Sequence, residues 1–504
     1  MNLSYSNSAK ANFYFESIGE DRWKCKFCLT ERKQVKNNGY ANLVQHVEKE
    51  HPNWKEEMKV SSPAITFVST EKERNVFGWL DLLTERNVFG WLDLLTGSML
   101  PFTSCEDPLF LQYSRLKKMD SDTFLQYAHL LVASVEEKIS KELPDKGGIM
   151  FDHWTDSGNH YVGLFSVTPG SPLRLLTLSP LQNEEALDTE SHVAFLEDTL
   201  EIYGKGREFL QFIAGKNCNL MKSIANAFTV PLLGCASHRF NLAVQQLLDE
   251  RYSGIMVKLK ELMKRLNRLK LKQWGKWRHK TKLSPVVYND TRWSGKYAMV
   301  REYLQLKEFI DDMYPDLVDY LPSTQEQIVI QEMNQVMSKL ESVTDALQGE
   351  VTMEEVRILF DSVIEEFPST RGYLAAGAEI VPNVAFENAL VKVTGKKEDI
   401  LTMEEKETLI PFKRASIQLT SEEEKELGFA AAILQQAKKR KLGESEYEDL
   451  TFIPPTCNQC ERLFSQCYEM TLRNLKMLMF LKLNRSMWNL EEVSQIVRRK
   501  KNDK

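Results

Sequence analysis

The sequence lacks the features of a membrane-spanning, secreted or wholly basic protein. A membrane-spanning helix needs about 18 or more consecutive apolar residues, and the chain of 504 residues contains no such run. Residues 1–10 are polar, so we expect no secretory signal. The 65 Lys and Arg residues are outnumbered by 71 Asp and Glu residues, so a surface for nucleic acid must be a local patch.

Cysteine is also scarce, since eight residues in a chain of this length do not make a disulfide scaffold. Without a secretory signal we expect a reducing compartment, where closely spaced cysteines indicate metal ligands or isolated thiols before disulfides. The composition of 42% apolar and 27% charged residues is typical of a folded soluble protein. The length predicts about three domains of roughly 150 residues each.

The clearest short motif is Cys25-x₂-Cys28, which is followed by His46-x₄-His51. Two thiolates and two imidazoles are the ligands of a closed tetrahedral zinc site, and four protein ligands leave no open position, so the zinc would be structural. The alternative is four unrelated residues in a polar N-terminus, but both halves fit the spacing of zinc ligands. We therefore predict a zinc-binding module in residues 1–55.

Aromatic residues precede this motif, namely Phe13, Tyr14, Phe15 and Trp23. With the NLVQHVEKEHP run, they make residues 12–52 resemble a BED-type zinc finger, which is a DNA-binding module. The resemblance implies that the aromatic side chains form its small core. The nearby basic residues are Lys24, Lys26, Arg32, Lys33 and Lys36. They are either phosphate contacts or a solvated surface, and the sequence favours neither alternative.

Residues 56–106 are assigned to a linker that contains a duplication. The twelve residues Glu73 to Thr84 (ERNVFGWLDLLT) recur without change from Glu85 to Thr96. Twelve residues advance a helix by about 120° beyond whole turns, so the second copy cannot continue the apolar face of the first on a straight helix. A functional motif is one interpretation. Recent duplication in a tolerant linker is the favoured one, and no function is assigned to the segment.

The pattern of apolar residues predicts an α/β protein. Residues 107–145 show helical spacing. Three consecutive strand-like runs follow, and strands then alternate with helices. The order is strand Gly148–Trp154, strand His160–Val167, strand Leu173–Leu178, helix Asp188–Tyr203, strand Phe209–Ala214, helix Cys218–Phe228 and strand Pro231–Cys235. Residues 241–450 are predicted to be almost entirely helical. We expect a mixed sheet that is interrupted by a large all-helical insertion.

Three segments resemble the hAT superfamily of DNA transposases in order, spacing and flanking residues. They are MFDHWTDSGNHYVGLFSV with Asp152, FIAGKNCNLMKSIANAFTVPLLGCASHRFNLAV with Cys235-x₂-His238, and PPTCNQCERLFSQC with Glu461. The resemblance covers about residues 107–488. It implies an RNase H-like core in residues 146–240, completed by residues 451–504, in which Asp, Asp and Glu bind divalent metal ions. Asp152 and Glu461 take the first and last of these positions. The alternatives are a strand-end Asp that caps a turn and a Glu that is favoured by a helix dipole.

Lys216 departs from the family pattern at the second carboxylate position. A protonated lysine has no lone pair for a metal, and its charge repels Mg²⁺. No acidic residue lies within three positions on either side. We therefore expect a domesticated or decayed copy of a transposase. It would bind DNA in a zinc-dependent way, and its nuclease core would be inactive. The alternative is an active transposase that cleaves and transfers DNA strands with Mg²⁺ or Mn²⁺, and a third interpretation is a protein-interaction module.

Other residues are candidates for DNA contacts. The resemblance implies that His238, together with Cys235, shapes the active site rather than binding a second zinc. Residues 289–293 resemble the family's Arg-Trp motif, so Trp293 either stacks on an unpaired base or packs between helices. Between Lys258 and Lys282 there are eleven Lys or Arg residues and one acidic residue, Glu261, which suits a phosphate backbone better than a solvated helix face. The candidates for DNA contact are Lys258, Lys264, Arg265, Arg268, Lys272, Arg292, Trp293 and His238.

The C-terminal region carries two further predictions. The helical stretch Leu472 to Trp488 resembles the family's dimerisation region, which implies a homo-oligomer, although its apolar residues also suit an intramolecular core. The basic clusters at residues 438–441 and 498–501 are candidates for nuclear localisation signals. We expect a nuclear protein with DNA as its partner and no association with membranes.

Overall fold

The computed structural model describes residues 7–19, 21–33, 40–54, 71–156, 159–180, 188–272, 274–288, 292–310, 315–414, 445–466 and 472–502. The chain divides into two compact units, Met1–Asp81 and Leu82–Lys504. Residues 36, 289–291, 438–441 and 467, which entered the sequence predictions, lie outside the described residues.

The described residues of the first unit up to residue 54 form a small three-stranded sheet and two helices. Its elements are α1 (Asn7–Tyr14), β1 (Phe15–Gly19), β2 (Arg22–Cys25), β3 (Glu31–Lys33) and α2 (Ala41–Glu50). The strands pair antiparallel in the order β1-β2-β3. Tyr14 and Phe15 are buried, and Phe13 and Trp23 pack partly buried against the same cluster. The four aromatic residues that precede the CxxC motif therefore do lie in the core of this module.

The duplicated segment lies within one helix, α3 (Glu71–Ser98). In the second copy, Val88, Trp91, Leu92 and Leu95 are buried in the main core of the second unit. The Trp91 indole donates a hydrogen bond to the carbonyl oxygen of Lys117 at 2.8 Å. Spacings of three and four residues place these side chains on one helix face, which is stable only when it is covered. The second copy is therefore part of the core and not of a linker; the side chains of most of the first copy lie outside the description.

The second unit continues with helices around a mixed sheet. Its elements up to the sheet edge are α4 (Pro108–Ser114), α5 (Ser121–Glu142), β4 (Gly147–Asp156), β5 (Asn159–Val167), β6 (Arg174–Pro180), α6 (Thr189–Ile202), β7 (Leu210–Gly215), α7 (Asn219–Phe228) and β8 (Leu232–Gly234). Each strand and helix predicted in this region is present with closely similar bounds. The α/β fold class with a mixed sheet is confirmed.

The sheet order is β6-β5-β4-β7-β8. β4, β5 and β6 pair antiparallel, because short connections bring each strand back beside the previous one. β7 and β8 are parallel to β4, because α6 and α7 carry the chain back across the sheet before each of them. Every residue of β7 is buried, as expected for a central strand covered on both faces. The carboxyl ends of β4, β7 and β8 therefore meet at one edge of the sheet.

After β8, the described residues of the second unit are mainly helical. The α-helices among them are α8 (Ala236–Lys272), α9 (Trp274–Lys280), α10 (Trp293–Leu306), α11 (Thr324–Gln348), α12 (Met353–Glu366), α13 (Arg371–Leu374), α14 (Val384–Thr394), α15 (Met403–Thr408), α16 (Asn458–Ser465), α17 (Leu472–Leu483) and α18 (Leu490–Asn502). Apolar side chains between Ala236 and Leu374 form a second core. From α14 onward the helices pack on the core of the sheet. The predicted insertion at 241–450 thus spans two packing environments.

The apolar side chains of α17 are used within the chain. Leu475, Leu478, Met479 and Leu481 are all buried in the core of the sheet. This agrees with the intramolecular interpretation of the segment. A homo-oligomer formed through the C-terminal region stays a prediction, and these four side chains are not exposed to make its interface. Among the described residues, we find no helix with the length and apolar character that a bilayer crossing requires.

Candidate functional site

The first candidate site is the Cys/His cluster of the small unit. Cys25 ends β2 and Cys28 lies in the following turn, where the Cys25 carbonyl oxygen accepts a hydrogen bond from the Leu29 amide at 2.9 Å. His46 lies on α2, and His51 is the residue at which α2 ends. The turn brings the two thiols together, and the helix end lets the second imidazole fold back toward the first.

The geometry of this cluster fits a tetrahedral metal ion. The four ligand atoms all lie within 4.8 Å of one another. The Cys25 Sγ is 3.4 Å from His51 Nε2, and the Cys28 Sγ is 3.2 Å from His46 Nε2. Tetrahedral zinc with ordinary Zn–S and Zn–N bond lengths separates its sulfur and nitrogen ligands by about 3.5 Å. The cluster could therefore hold a metal ion, and its soft and borderline ligands suit zinc.

The two thiols of the cluster have different electrostatic environments. Burial tends to raise the pKa of Cys28, but hydrogen bonds with Thr30, His51 and Cys25 outweigh it and lower that pKa to about 6. Burial is the main reason why the pKa of Cys25 is raised. One thiol is therefore already disposed toward the thiolate form, which is the form that binds metals.

The second candidate site lies where the parallel strands of the main sheet end. Ile149 pairs with Ile213 and Met150 with Ala214, so Asp152 and Lys216, each two residues beyond the second pair, lie at the same level. Asp152 is still within β4, whereas Lys216 directly follows the end of β7. The Lys216 Nζ lies 2.7 Å from the Asp152 Oδ1. The Asp152 side chain is only 2% exposed, and its Oδ1 also accepts a hydrogen bond from the His153 amide at 2.7 Å.

Glu461 reaches the same place from α16, which packs on β4 and β5. Gly163 of β5 pairs directly opposite Asp152, and a Cβ at this glycine would lie 2.5 Å from the Leu463 Cδ2. The missing side chain therefore allows α16 to approach the sheet closely. Glu461 lies in the first turn of α16, and its carboxylate forms an ion pair with the Arg292 guanidinium at 2.8 Å.

These residues line one cavity of about 640 Å³. Six of the residues singled out in the sequence lie on its wall, namely Asp152, Lys216, His238, Arg292, Trp293 and Glu461. His153 and Ser237 also line the cavity, and the sequence analysis missed both as site residues. Each is next in the chain to a residue that was singled out, but neither belongs to a motif of its own.

The ion pairs and burial shift the pKa values of the cavity residues. Burial lowers the pKa of Lys216, but the Asp152 carboxylate outweighs it, and the net pKa is raised. Burial raises the pKa of Glu461, with Arg292 opposing the shift. Burial and the Lys216 charge lower the pKa of His238. At neutral pH, Lys216 is therefore an ammonium in direct contact with Asp152.

A divalent metal of the Mg²⁺ type does not fit this arrangement. Mg²⁺ needs several oxygen ligands, and the carboxylates of Asp152 and Glu461 are each engaged by a cationic side chain. The Lys216 ammonium occupies the space beside Asp152 where a cation would bind. Within the described ranges, Cys25, Cys28, His46 and His51 are the one group of three or more Cys, His or acidic residues placed to hold a metal ion.

The structure favours one of the two interpretations of Trp293. Its side chain is 2% exposed and belongs to the core of the helical region, where its ring lies 6.3 Å from that of Tyr297. Its amide donates a hydrogen bond to the Asn241 side-chain oxygen at 3.2 Å. Trp293 is thus a packing anchor that also borders the cavity, and its ring is not free to stack on an unpaired base.

The predicted basic stretch lies on α8 and α9, away from the cavity wall. Lys258 pairs with Glu326 of α11 at 2.7 Å. Arg265 pairs with Glu261 at 3.3 Å and also lies over a tyrosine ring. Lys264 and Arg268 are exposed, while the side chain of Lys272 is outside the description. The partner of Lys258 comes from a distant helix, so local sequence reasoning missed it.

No protein-family model matches the chain, and no curated protein matches it.

Proposed function

We propose that this protein binds DNA through a zinc-stabilised finger and that its transposase-like core does not cleave DNA. The observation that carries the proposal is the Cys25, Cys28, His46 and His51 cluster, whose ligand atoms converge within 4.8 Å on a module with a small aromatic core. Beside it, Lys26, Arg32 and Lys33 are exposed and able to meet phosphates. The exposed Lys264 and Arg268 of α8 supply a second basic surface.

The main sheet supports the kinship with hAT transposases. Three antiparallel strands followed by two parallel ones, in the order β6-β5-β4-β7-β8, are consistent with an RNase H-like core. Asp152, Lys216 and Glu461, which the sequence resemblance aligned with a metal-binding triad, line one cavity. The Asp152–Lys216 ion pair is the reason to propose that this core is inactive. A nuclear location accords with DNA as the partner, although Arg498 of the C-terminal basic cluster pairs with Glu85.

The binding half of the proposal is tested with labelled duplex DNA and the full-length protein. We expect one zinc ion per chain and binding that weakens steeply with salt. Removal of zinc by a chelator, or Cys28→Ala, should abolish binding at moderate salt. Cys218→Ala is the matched control, because this thiol lies outside the cluster at the start of α7. Duplex binding that persists without zinc and in Cys28→Ala would contradict the proposal.

The second candidate function is an active transposase, which the convergence of Asp152 and Glu461 favours. It is tested by incubating nicked and intact DNA with the protein in Mg²⁺ or Mn²⁺. Bound metal ions stabilise the transition state of such a reaction by several kcal/mol. The Lys216 ammonium occupies the space beside Asp152 where a metal ion would bind, so we expect no cleavage by the natural chain. Metal-dependent cleavage by the natural chain that is lost in Asp152→Ala would contradict the inactive core and support the active transposase. Lys216→Asp is the variant in which some cleavage can return.

A further inference from the structure

Two cysteines that the proposed function does not use lie against each other behind the wall of the cavity. Cys235 stands between β8 and α8, and Cys457 is the N-cap of α16. The Cys457 amide donates a hydrogen bond to the Cys235 Sγ at 3.2 Å, although the two residues are 222 positions apart in the chain. Both are free thiols, and their exposure is 2% and 1%. Two neighbouring thiols can be joined by a disulfide.

The backbone on both sides of the pair is held by hydrogen bonds. The Cys235 amide donates to the Gly215 carbonyl oxygen at 2.8 Å, and the Ala236 amide donates to the Pro455 carbonyl oxygen at 2.9 Å. These bonds fix the end of β8 beside β7 and beside the segment that enters α16. A disulfide forms without strain only between residues whose backbones are already close together. The fold therefore meets the first requirement for a bond between Cys235 and Cys457.

The two thiols differ in the way that an attacking thiol and a resolving thiol differ. Hydrogen bonds with the Cys457 thiol and from the backbone of Cys457 and His238 outweigh burial and lower the pKa of Cys235. The same contact between the thiols, together with burial, raises the pKa of Cys457. Cys235 also directly precedes α8, and the N-terminus of a helix favours a thiolate. Cys235 is therefore the thiol that attacks an oxidant, and Cys457 is the thiol that closes the bond.

The burial of the pair selects a small oxidant. Ser237, His238 and Asn458, which are close in the chain to Cys235 or Cys457, line the cavity of about 640 Å³. Hydrogen peroxide is little larger than water, so it can enter this cavity and reach the two helix ends from inside it. An oxidised dithiol such as glutathione disulfide is far bulkier than the space between a buried thiol and its neighbours. We therefore take hydrogen peroxide as the oxidant.

We propose that Cys235 and Cys457 form a reversible disulfide in response to hydrogen peroxide and that this bond fastens α16 to the end of β8. The Cys235 thiolate attacks one peroxide oxygen and breaks the O–O bond. The products are a sulfenic acid on Cys235 and a hydroxide, which takes up the proton that Cys235 released and becomes water. The Cys457 sulfur then attacks the Cys235 sulfur, and the S–O bond breaks. The hydroxyl group leaves with the Cys457 proton as a second water.

The reaction balances, because two thiols and one peroxide become one disulfide and two waters. A dithiol reductant returns the pair to its thiol form by exchange. The disulfide goes beyond the proposed function, since it depends neither on zinc in the finger nor on the binding of DNA.

The test treats reduced, zinc-loaded full-length protein with hydrogen peroxide. The remaining thiols are then blocked with iodoacetamide in urea, and the protein is digested with trypsin and analysed by mass spectrometry. Cys235 lies in the tryptic peptide of residues 223–239, and Cys457 lies together with Cys460 in that of residues 442–462. We expect most chains to contain these two peptides joined by a disulfide, and we expect dithiothreitol to separate them.

Variants assign the roles of the two thiols. Cys457→Ser should lose the link and leave Cys235 oxidised to a sulfenic or sulfinic acid. Cys235→Ser should lose the link and leave Cys457 reduced. Cys460→Ser is the matched control and should keep the link. Cys105 is an internal control, because burial raises the pKa of this thiol to about 11 and it should stay reduced.

The proposal is overturned if the natural chain gives no linked peptides. It is also overturned if the link needs Cys460 and not Cys457, or if the disulfide lies within residues 442–462 and therefore joins Cys457 to Cys460. Oxidation of Cys457 in Cys235→Ser would contradict the assigned roles. The linked peptides are sought in the natural chain, so a variant that does not fold leaves the decisive measurement in place.

The fastening of α16 is tested by urea unfolding in excess zinc, followed by tryptophan fluorescence. The bond closes a loop between two residues that are 222 positions apart, and a cross-link over so long a loop removes much conformational freedom from the unfolded chain. We expect a higher urea midpoint after peroxide treatment, which dithiothreitol reverses and which Cys457→Ser does not show. A linked protein whose midpoint is unchanged or lower would contradict the fastening.

Discussion

Replacement of Lys216 with methionine removes the ammonium from Asp152 and keeps much of the side-chain volume. The Asp152 carboxylate is 2% exposed, and it keeps one hydrogen bond, from the His153 amide at 2.7 Å. Removing one partner of a buried ion pair costs about 3–5 kcal/mol. The Lys216 side chain is 30% exposed, so solvent already screens part of the interaction. We therefore expect a loss of about 2–3 kcal/mol in the free energy of unfolding.

The loss is measured by urea unfolding of the full-length protein, followed by tryptophan fluorescence. We expect a lower midpoint at an unchanged slope, which is the signature of a change in stability. A double-mutant cycle with Asp152→Asn should give a coupling energy of about 2 kcal/mol, because the second substitution removes the stranded charge. If the effects of the two single substitutions on the free energy of unfolding add without coupling, or if the urea midpoint does not move, the ion pair is not a stabilising contact.

The same ion pair predicts a dependence on alkaline pH. The Asp152 carboxylate outweighs burial and raises the pKa of Lys216 above its ordinary value of 10.5. The contribution of the pair is therefore fully present below pH 10.5 and is lost as the pH rises through the higher pKa of the folded state. The difference in stability between the natural chain and Lys216→Met should shrink in that range. A constant difference through it would show that the ammonium is not the source of the stabilisation.

The remaining predictions concern the finger, the basic helix and the approach of α16. Cys28→Ala should leave the finger unfolded even in excess zinc, because structural zinc supplies about 10–16 kcal/mol of folding free energy in such modules. Nuclear magnetic resonance signals of the finger that stay dispersed in this variant would contradict the prediction. Lys264→Gln with Arg268→Gln should reduce the slope of log K against log salt by about 2 for duplex DNA, and an unchanged slope would remove α8 from the interface. Gly163→Ala should destabilise the protein by about 1–3 kcal/mol through the clash with α16. Gly254→Ala is its control, since a Cβ there meets no atom within 4 Å, and equal effects of the two would refute the close-approach argument.

Several features were predictable because they depend on residues that are close in the chain. The spacing of Cys25, Cys28, His46 and His51 predicted a cluster, and the structure brings their ligand atoms together. Strands β4 to β8 were predictable because short apolar runs alternate with turns and amphipathic helices. These signals are local, so a single sequence carries them.

Packing decided two features that local sequence could not. The repeated twelve residues looked like linker, yet Trp91 and Leu95 of the second copy are fully buried in the main core. For Trp293 the sequence left base stacking and packing between helices open, and in the structure its ring lies in the helical core. Whether an amphipathic segment is covered depends on distant elements, and periodicity alone contains no information about them.

Residue identity by itself determined that Lys216 cannot donate a lone pair to a metal while it is protonated. Its partner was decided by the tertiary structure, because the parallel register of β4 and β7 brings Asp152 to the same level. Arg292 and Glu461 are far apart in the chain, and only the packing of α10 and α16 around one cavity joins them at 2.8 Å. The charge of a side chain is a property of its chemistry, whereas the partner that neutralises it is a property of the fold.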